Sequence, residues 1–155
     1  MSTGDVWATS GDAWAREVAL ARTTTWWGAA SVVAGLGFAV RSGGDPWRRA
    51  FGVQNAGWGA VDLAIVAMAE RLRRRRMARL ADPYEPAGLR EEGRRLRRIL
   101  LVNVALDAGY VAGGLALWCW RSRGGDAAAS GASAGIVVQG AFLLVHDATY
   151  AASTR

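Results

Sequence analysis

Lysine is absent from this chain, and cysteine and histidine occur once each, as Cys119 and His146. A single cysteine permits neither an intrachain disulfide nor a cysteine-pair redox centre. Near a helix end it reads as a small apolar side chain. A single histidine argues against zinc or copper, whose sites gather several His or Cys ligands, and a bis-His haem would need a dimer interface. No phosphate-cradling glycine loop, nucleophile with its base or multi-His motif is present. The residues therefore point away from an enzyme and name no cofactor. Proline occurs three times, at Pro46, Pro83 and Pro86, always between apolar runs. The N-terminal segment lacks the short apolar core and small-residue cleavage site of a signal peptide, so the first apolar run reads as an uncleaved anchor.

What is present is strongly segregated. The chain has 155 residues, 52% hydrophobic and 21% charged, and its mean hydropathy of +0.09 conceals how they are distributed. Four stretches, 23–41, 51–70, 99–120 and 132–152, hold nearly all the apolar residues, and a helix of about 20 such residues crosses a bilayer. The expectation is one all-α membrane domain over 1–155, an integral membrane four-helix bundle.

All 19 basic residues are arginine and the net charge is +6. In a soluble protein that balance would indicate nucleic acid, but here position decides. Eleven arginines lie between Glu70 and Arg98, against three in 41–49 and two in 121–130. The positive-inside rule puts the 70–98 segment, an Arg-rich helical hairpin turning at Asp82-Pro83-Tyr84-Glu85-Pro86, in the cytoplasm, with both termini on that side. Anionic headgroups near Arg71–Arg76 and Arg94–Arg98 are the expected partners, rather than nucleic acid. Residues 1–22 read as a short amphipathic helix on the membrane, and Trp26-Trp27, Trp118 and Trp120 as interface anchors. Small residues four apart, Ser31 with Gly35, Ala30 with Ala34, the row Gly52, Ala56 and Ala60, and the pairs Gly109 with Gly113 and Gly131 with Gly135, allow close helix approach. The 121–130 link, rich in Gly, Ala and Ser, reads as flexible.

The chain also repeats itself. Gln54 to Asp62 and Gln139 to Asp147 place a Gln and an Asp in the same frame, each after an apolar run and a Gly-Gly-Asp link at Gly43-Gly44-Asp45 or Gly124-Gly125-Asp126. Two tandem helical hairpins follow, related by an axis along the membrane normal, with the two Gln/Asp pairs facing each other. At about 1.5 Å per residue, Asp62 and Asp107 fall about 12 Å and Asp147 roughly 10 Å from the cytoplasmic ends of their spans. His146 and Asn103 lie near that level, while Gln54 and Gln139 lie farther out. Carboxylates in hydrocarbon are costly, so each Asp is expected to face inward, and three meeting carboxyls call for a cation, a proton or a donor.

Two functions follow. One is a structural or accessory membrane subunit fastened by an interhelical polar network, with a membrane-protein partner or a second copy. The other is binding or transport of a small ligand, proton or cation at Asp62, Asp107, Asp147 and His146, with Asn103, Gln54 and Gln139 nearby. The segments QNAGWGAVDLAI, LVNVALDAGYVAGGL and VVQGAFLLVHDATY together resemble a group of small bacterial four-span membrane proteins of unknown function, over about Trp26 to Tyr150. The resemblance implies four spans and a bacterial inner membrane, and carries over no catalytic residue.

Overall fold

A computed structural model describes residues 12–153 as four helices: α1 (Asp12–Val40), α2 (Pro46–Met77), α3 (Pro86–Arg123) and α4 (Ala127–Ser153). Among the described residues there is no strand. The all-α expectation and the two hairpins hold, with two adjustments of boundary. Residues 12–22 continue α1 instead of forming a separate surface helix, and the rest of the 1–22 segment lies outside the described residues. The second link is not a flexible 121–130 segment, since α4 begins at Ala127.

Both Gly-Gly-Asp links work alike. Gly43 and Gly44 at φ 60° and 87°, and Gly125 at φ 73°, reverse the chain in the left-handed region that suits glycine. The following Asp then caps the next helix. Asp45 Oδ1 accepts from the backbone N–H groups of Trp47 and Arg48, with Pro46 opening the helix. Asp126 Oδ1 accepts from Ala129 alone. Asp45→Ala is therefore expected to cost about 1 kcal/mol of unfolding free energy, and Asp126→Ala less; equal losses in a chemical unfolding series would contradict the capping difference.

α1 packs on α2 and α3 on α4, while α2 and α4, the parallel second helices of the two hairpins, join the halves. The hairpin interfaces are built on glycine. A Cβ at Gly28 would meet Gly59 O at 2.9 Å, and one at Gly35 would meet Ala56 N and Gly52 O at 2.5 Å. Gly131 and Gly135 lie against Trp47 and Gln54 of α2. Three small-residue expectations change. The buried row on α2 is Gly52, Asn55 and Gly59, with Ala60 exposed. Ala30 and Ala34 face outward, leaving Ser31 and Gly35 as the packed pair. Gly109 and Gly113 meet nothing within 4 Å, and Gly114 is the α3 glycine that touches α4.

The bundle is polar inside and apolar outside. Among the described residues, ten polar side chains are buried against seven apolar ones, while Val33, Val40, Ile65, Met68, Val102, Leu106 and Val145 are among many large apolar residues left exposed. α3 and α4 are long and apolar enough to cross a membrane. α1 and α2 do not reach that apolarity, diluted by the Thr23–Trp27 run and by Gln54, Asn55 and Asp62.

At the Arg-rich end, α1 clamps the α2–α3 turn. Trp14 is buried with Ala13 and Leu89, its indole N–H donating to Pro83 O at 2.9 Å. Arg76 lies over the Trp14 ring and donates to both Glu17 oxygens at 2.9 Å, with Glu92 at 3.4 Å. Burial nonetheless pushes the Glu17 carboxyl above its ordinary value of 4.5, with Arg76 opposing and Glu92 adding to the rise. A carboxyl whose folded value is raised binds protons in the native state that it has released in the unfolded one, so its contribution to stability falls as pH rises from 4.5. Glu17→Gln is expected to flatten that slope in unfolding measured across mildly acidic pH, and an unchanged slope would assign it elsewhere.

Candidate functional site

The polar interior divides into two levels along the bundle axis. The first centres on Gln139, only 2% exposed. Its Oε1 accepts from the Trp27 indole N–H at 2.7 Å, and its Nε2 donates to Asn55 Oδ1 at 2.9 Å and Ser31 Oγ at 3.1 Å. Asn55 in turn donates to Phe51 O at 2.8 Å. One side chain of α4 thus joins α1 and α2, and both of its heteroatoms are satisfied.

Gln54 does not take the place expected for it opposite Gln139; it is half-buried and lies against Gly135, and Asn55 makes the contact instead. The reason is angular. At about 3.6 residues per turn, residues eight apart diverge by about 80° and residues seven apart by about 20°. Asn55, not Gln54, shares a face with Asp62. Asn55 with Gly52 and Gly59 was the readable signal.

The second level lies toward the Arg-rich end. α2 and α3 are joined by a short turn but do not pack closely along their length, and between them is a cavity of about 470 Å³ that Leu20, Ala21 and Thr24 of α1 and Leu143 of α4 also line. Asp62, Asp107, Asp147 and Asn103 all line it, as does Gln139 at its far side. Asp62 and Asp107 are 3% and 6% exposed, and each keeps one Oδ2 buried without a hydrogen-bond partner. Trp58 and Tyr110 meet edge to face at 5.6 Å, one turn from Asp62 and Asp107 on the side away from the arginines, and both line the cavity.

His146 sits beside this site. Its Nδ1 is 2.8 Å from Asp147 Oδ1, so one proton lies between imidazole and carboxyl, while Nε2 is buried and unpartnered. The ring stacks on Phe142 and meets Tyr150 at a tilt of 50°, and Phe142 stacks on Trp27 at 3.9 Å. This aromatic column joins α1 and α4. Among the described residues no group of three or more His, Cys, Asp or Glu is placed to hold a metal ion. The three carboxyls share a cavity without converging on a metal-sized point.

Chemically, the Gln139 level is a closed set of donors and acceptors. The Asp level offers free acceptors in a space that admits a small molecule, within the range of about 300–1,000 Å³ common for ligand pockets.

The fold and cavity define an all-α four-helix protein with a polar interior and two helices able to cross a membrane. Residues 23–148 match the family of unknown function DUF6992, and the chain belongs to that family. No curated protein and no solved structure matches the chain.

Proposed function

We propose that the protein is an integral membrane protein of four spans, of the bacterial inner membrane, with the Arg-rich end and both termini cytoplasmic, and that it binds a small ligand through Asp62, Asp107 and Asp147. The observation that carries the reading is that Asp62 and Asp107, each with a buried carboxyl oxygen that has no hydrogen-bond partner, line one cavity of about 470 Å³. A buried acceptor left unpaired costs about 1–3 kcal/mol, and a bound donor or cation recovers that cost. The membrane assignment is supported by the inverted distribution of side chains, since an apolar exterior with few buried apolar residues is unstable in water and stable in lipid. Neither a base with a nucleophile nor a cofactor is needed for this role.

Binding is tested with purified protein in nanodiscs, by thermal unfolding across pH and a panel of inorganic and organic cations. A ligand held only by the folded state raises the midpoint by linkage. Asp62→Asn with Asp107→Asn is expected to abolish the response while leaving the unliganded protein folded. If native and variant respond alike to every cation and to pH, the binding reading fails.

A second reading is favoured by the saturated Gln139 network: a membrane subunit whose interior only fastens its helices, docking to a partner or a second copy. It predicts that both Asn changes leave stability equal or higher, with no cation response.

Topology has its own test. In a Cys119→Ser background, Arg123→Cys is expected to react with an impermeant maleimide in intact cells, and Ala81→Cys only after permeabilisation. The reverse pattern would invert the orientation.

A further inference from the structure

Three sides of the cavity differ in what could pass through them. At the Arg-rich end it is bordered by Arg73, Arg76 and Arg95, paired with Glu70, Glu17 and Glu92. A cation arriving from that end must pass three guanidinium groups. At the other end the Trp58–Tyr110 contact narrows it. On the third side, between α2 and α3, the lining includes Ile65, Leu106 and Ile99, which are 59%, 57% and 44% exposed. These residues belong at once to the cavity wall and to the apolar outer surface. The cavity therefore opens sideways, through an apolar gap, onto whatever surrounds the bundle.

We propose, resting on the membrane and binding readings above, that the ligand is a single-tailed amphiphile with a primary ammonium head, which enters from the bilayer between α2 and α3. Its head lies among Asp62, Asp107 and Asp147, and its tail leaves past Ile65 and Leu106 into lipid. An ammonium group supplies three N–H donors, enough for the free Oδ2 atoms of Asp62 and Asp107 and one further acceptor such as Asn103. Its charge also complements the carboxyl groups gathered on the cavity, which a neutral hydroxyl head would not do. A metal ion is the competing occupant, and among the described residues no group of three or more His, Cys, Asp or Glu is placed to hold one. The tail satisfies the apolar rim, where a compact hydrophilic amine would leave the gap to lipid.

Decylamine, ethylamine and decanol are compared with the full chain in phosphatidylcholine nanodiscs, using thermal midpoint against concentration. The expected result is a saturable rise with decylamine, at least tenfold tighter than with ethylamine, and none with decanol. Asp62→Asn with Asp107→Asn loses the rise. Ile65→Trp with Leu106→Trp, which adds bulk at the gap, weakens the decylamine response at least tenfold in a protein that still unfolds cooperatively. Equal potency of ethylamine and decylamine, with dependence on the Asp pair, overturns the amphiphile and lateral entry but leaves the carboxyl site standing. Responses to decylamine and decanol that are alike and indifferent to the Asn changes show partition into lipid and overturn the proposal. An unaltered decylamine response in the rim variants overturns the route. Absence of any amine response, with a carboxyl-dependent response to another cation or to protons, overturns this inference alone.

Discussion

Gln139→Leu is expected to lower the unfolding free energy by about 2 to 5 kcal/mol, three interhelical hydrogen bonds at about 0.6 to 1.7 kcal/mol each. The substitution keeps nearly the same volume, so the loss reports polar contacts and not a cavity. It strands the Trp27 indole N–H, the Ser31 hydroxyl and Asn55 Oδ1 in a region from which solvent is excluded. Asn55→Ala removes one of the same bonds, so the double variant should lose less than the sum of the two single losses, by about 0.5 kcal/mol or more. Gln54→Leu, a half-buried residue resting on Gly135, is the control and should be close to neutral. Reversible unfolding in mixed micelles measures all four. A Gln139→Leu variant within about 0.5 kcal/mol of the native protein, where unremarkable surface substitutions fall, would remove the Gln139 hub from the account of what joins the hairpins.

The division of labour between the two polar levels explains what sequence could and could not say. Helix number, the hairpin pairing and the Arg-rich turn were legible because they depend on local signals: apolar runs, Pro46 and Pro86 at helix starts, and Gly-Gly-Asp at each link. The common level of Asp62, Asp107 and Asp147 was legible too, because rise per residue converts position into depth, and all three line one cavity. Which helices adjoin was not legible. Nothing local states that α2 packs on α4 while α2 and α3 part, and the cavity exists only because of that difference. Angular position at Gln54 follows the 3.6-residue period and not the matching repeat frame. Asn55, one position on, carries the bond. The repeat is real as a frame of hairpins, and its Asp62 and Asp147 line one cavity, but at the first level the copies differ: α4 contributes Gln139, and α2 contributes Asn55.

Gly52→Leu is expected to have the largest effect of any single change outside the polar interior. α1 and α2 meet at two points seven residues apart on each helix, Gly28 with Gly59 and Gly35 with Gly52. At both points a Cβ would collide with backbone: at Gly35 with Gly52 O, at Gly52 with Gly35 O and Ala39 N, and at Gly59 with Gly28 O. Overpacking costs about 1–3 kcal/mol when side chains can shift, but a backbone carbonyl in the middle of a helix has no such freedom. The helices must move apart, and the dispersion contacts along the hairpin go with them. The cost should therefore reach or exceed the top of that range, with little folded protein recovered. Gly109→Leu and Gly113→Leu provide the contrast, since both positions open onto nothing within 4 Å despite their four-residue spacing, and both variants should unfold within a few degrees of the native protein. A tolerated Gly52→Leu would refute the close α1–α2 approach. A loss at Gly109 or Gly113 seen in nanodiscs and absent in detergent would instead show that the outer face of α3 meets another chain in the bilayer, where small residues permit close approach between helices. Glycine thus has opposite consequences on α2 and α3, according to whether a backbone lies opposite.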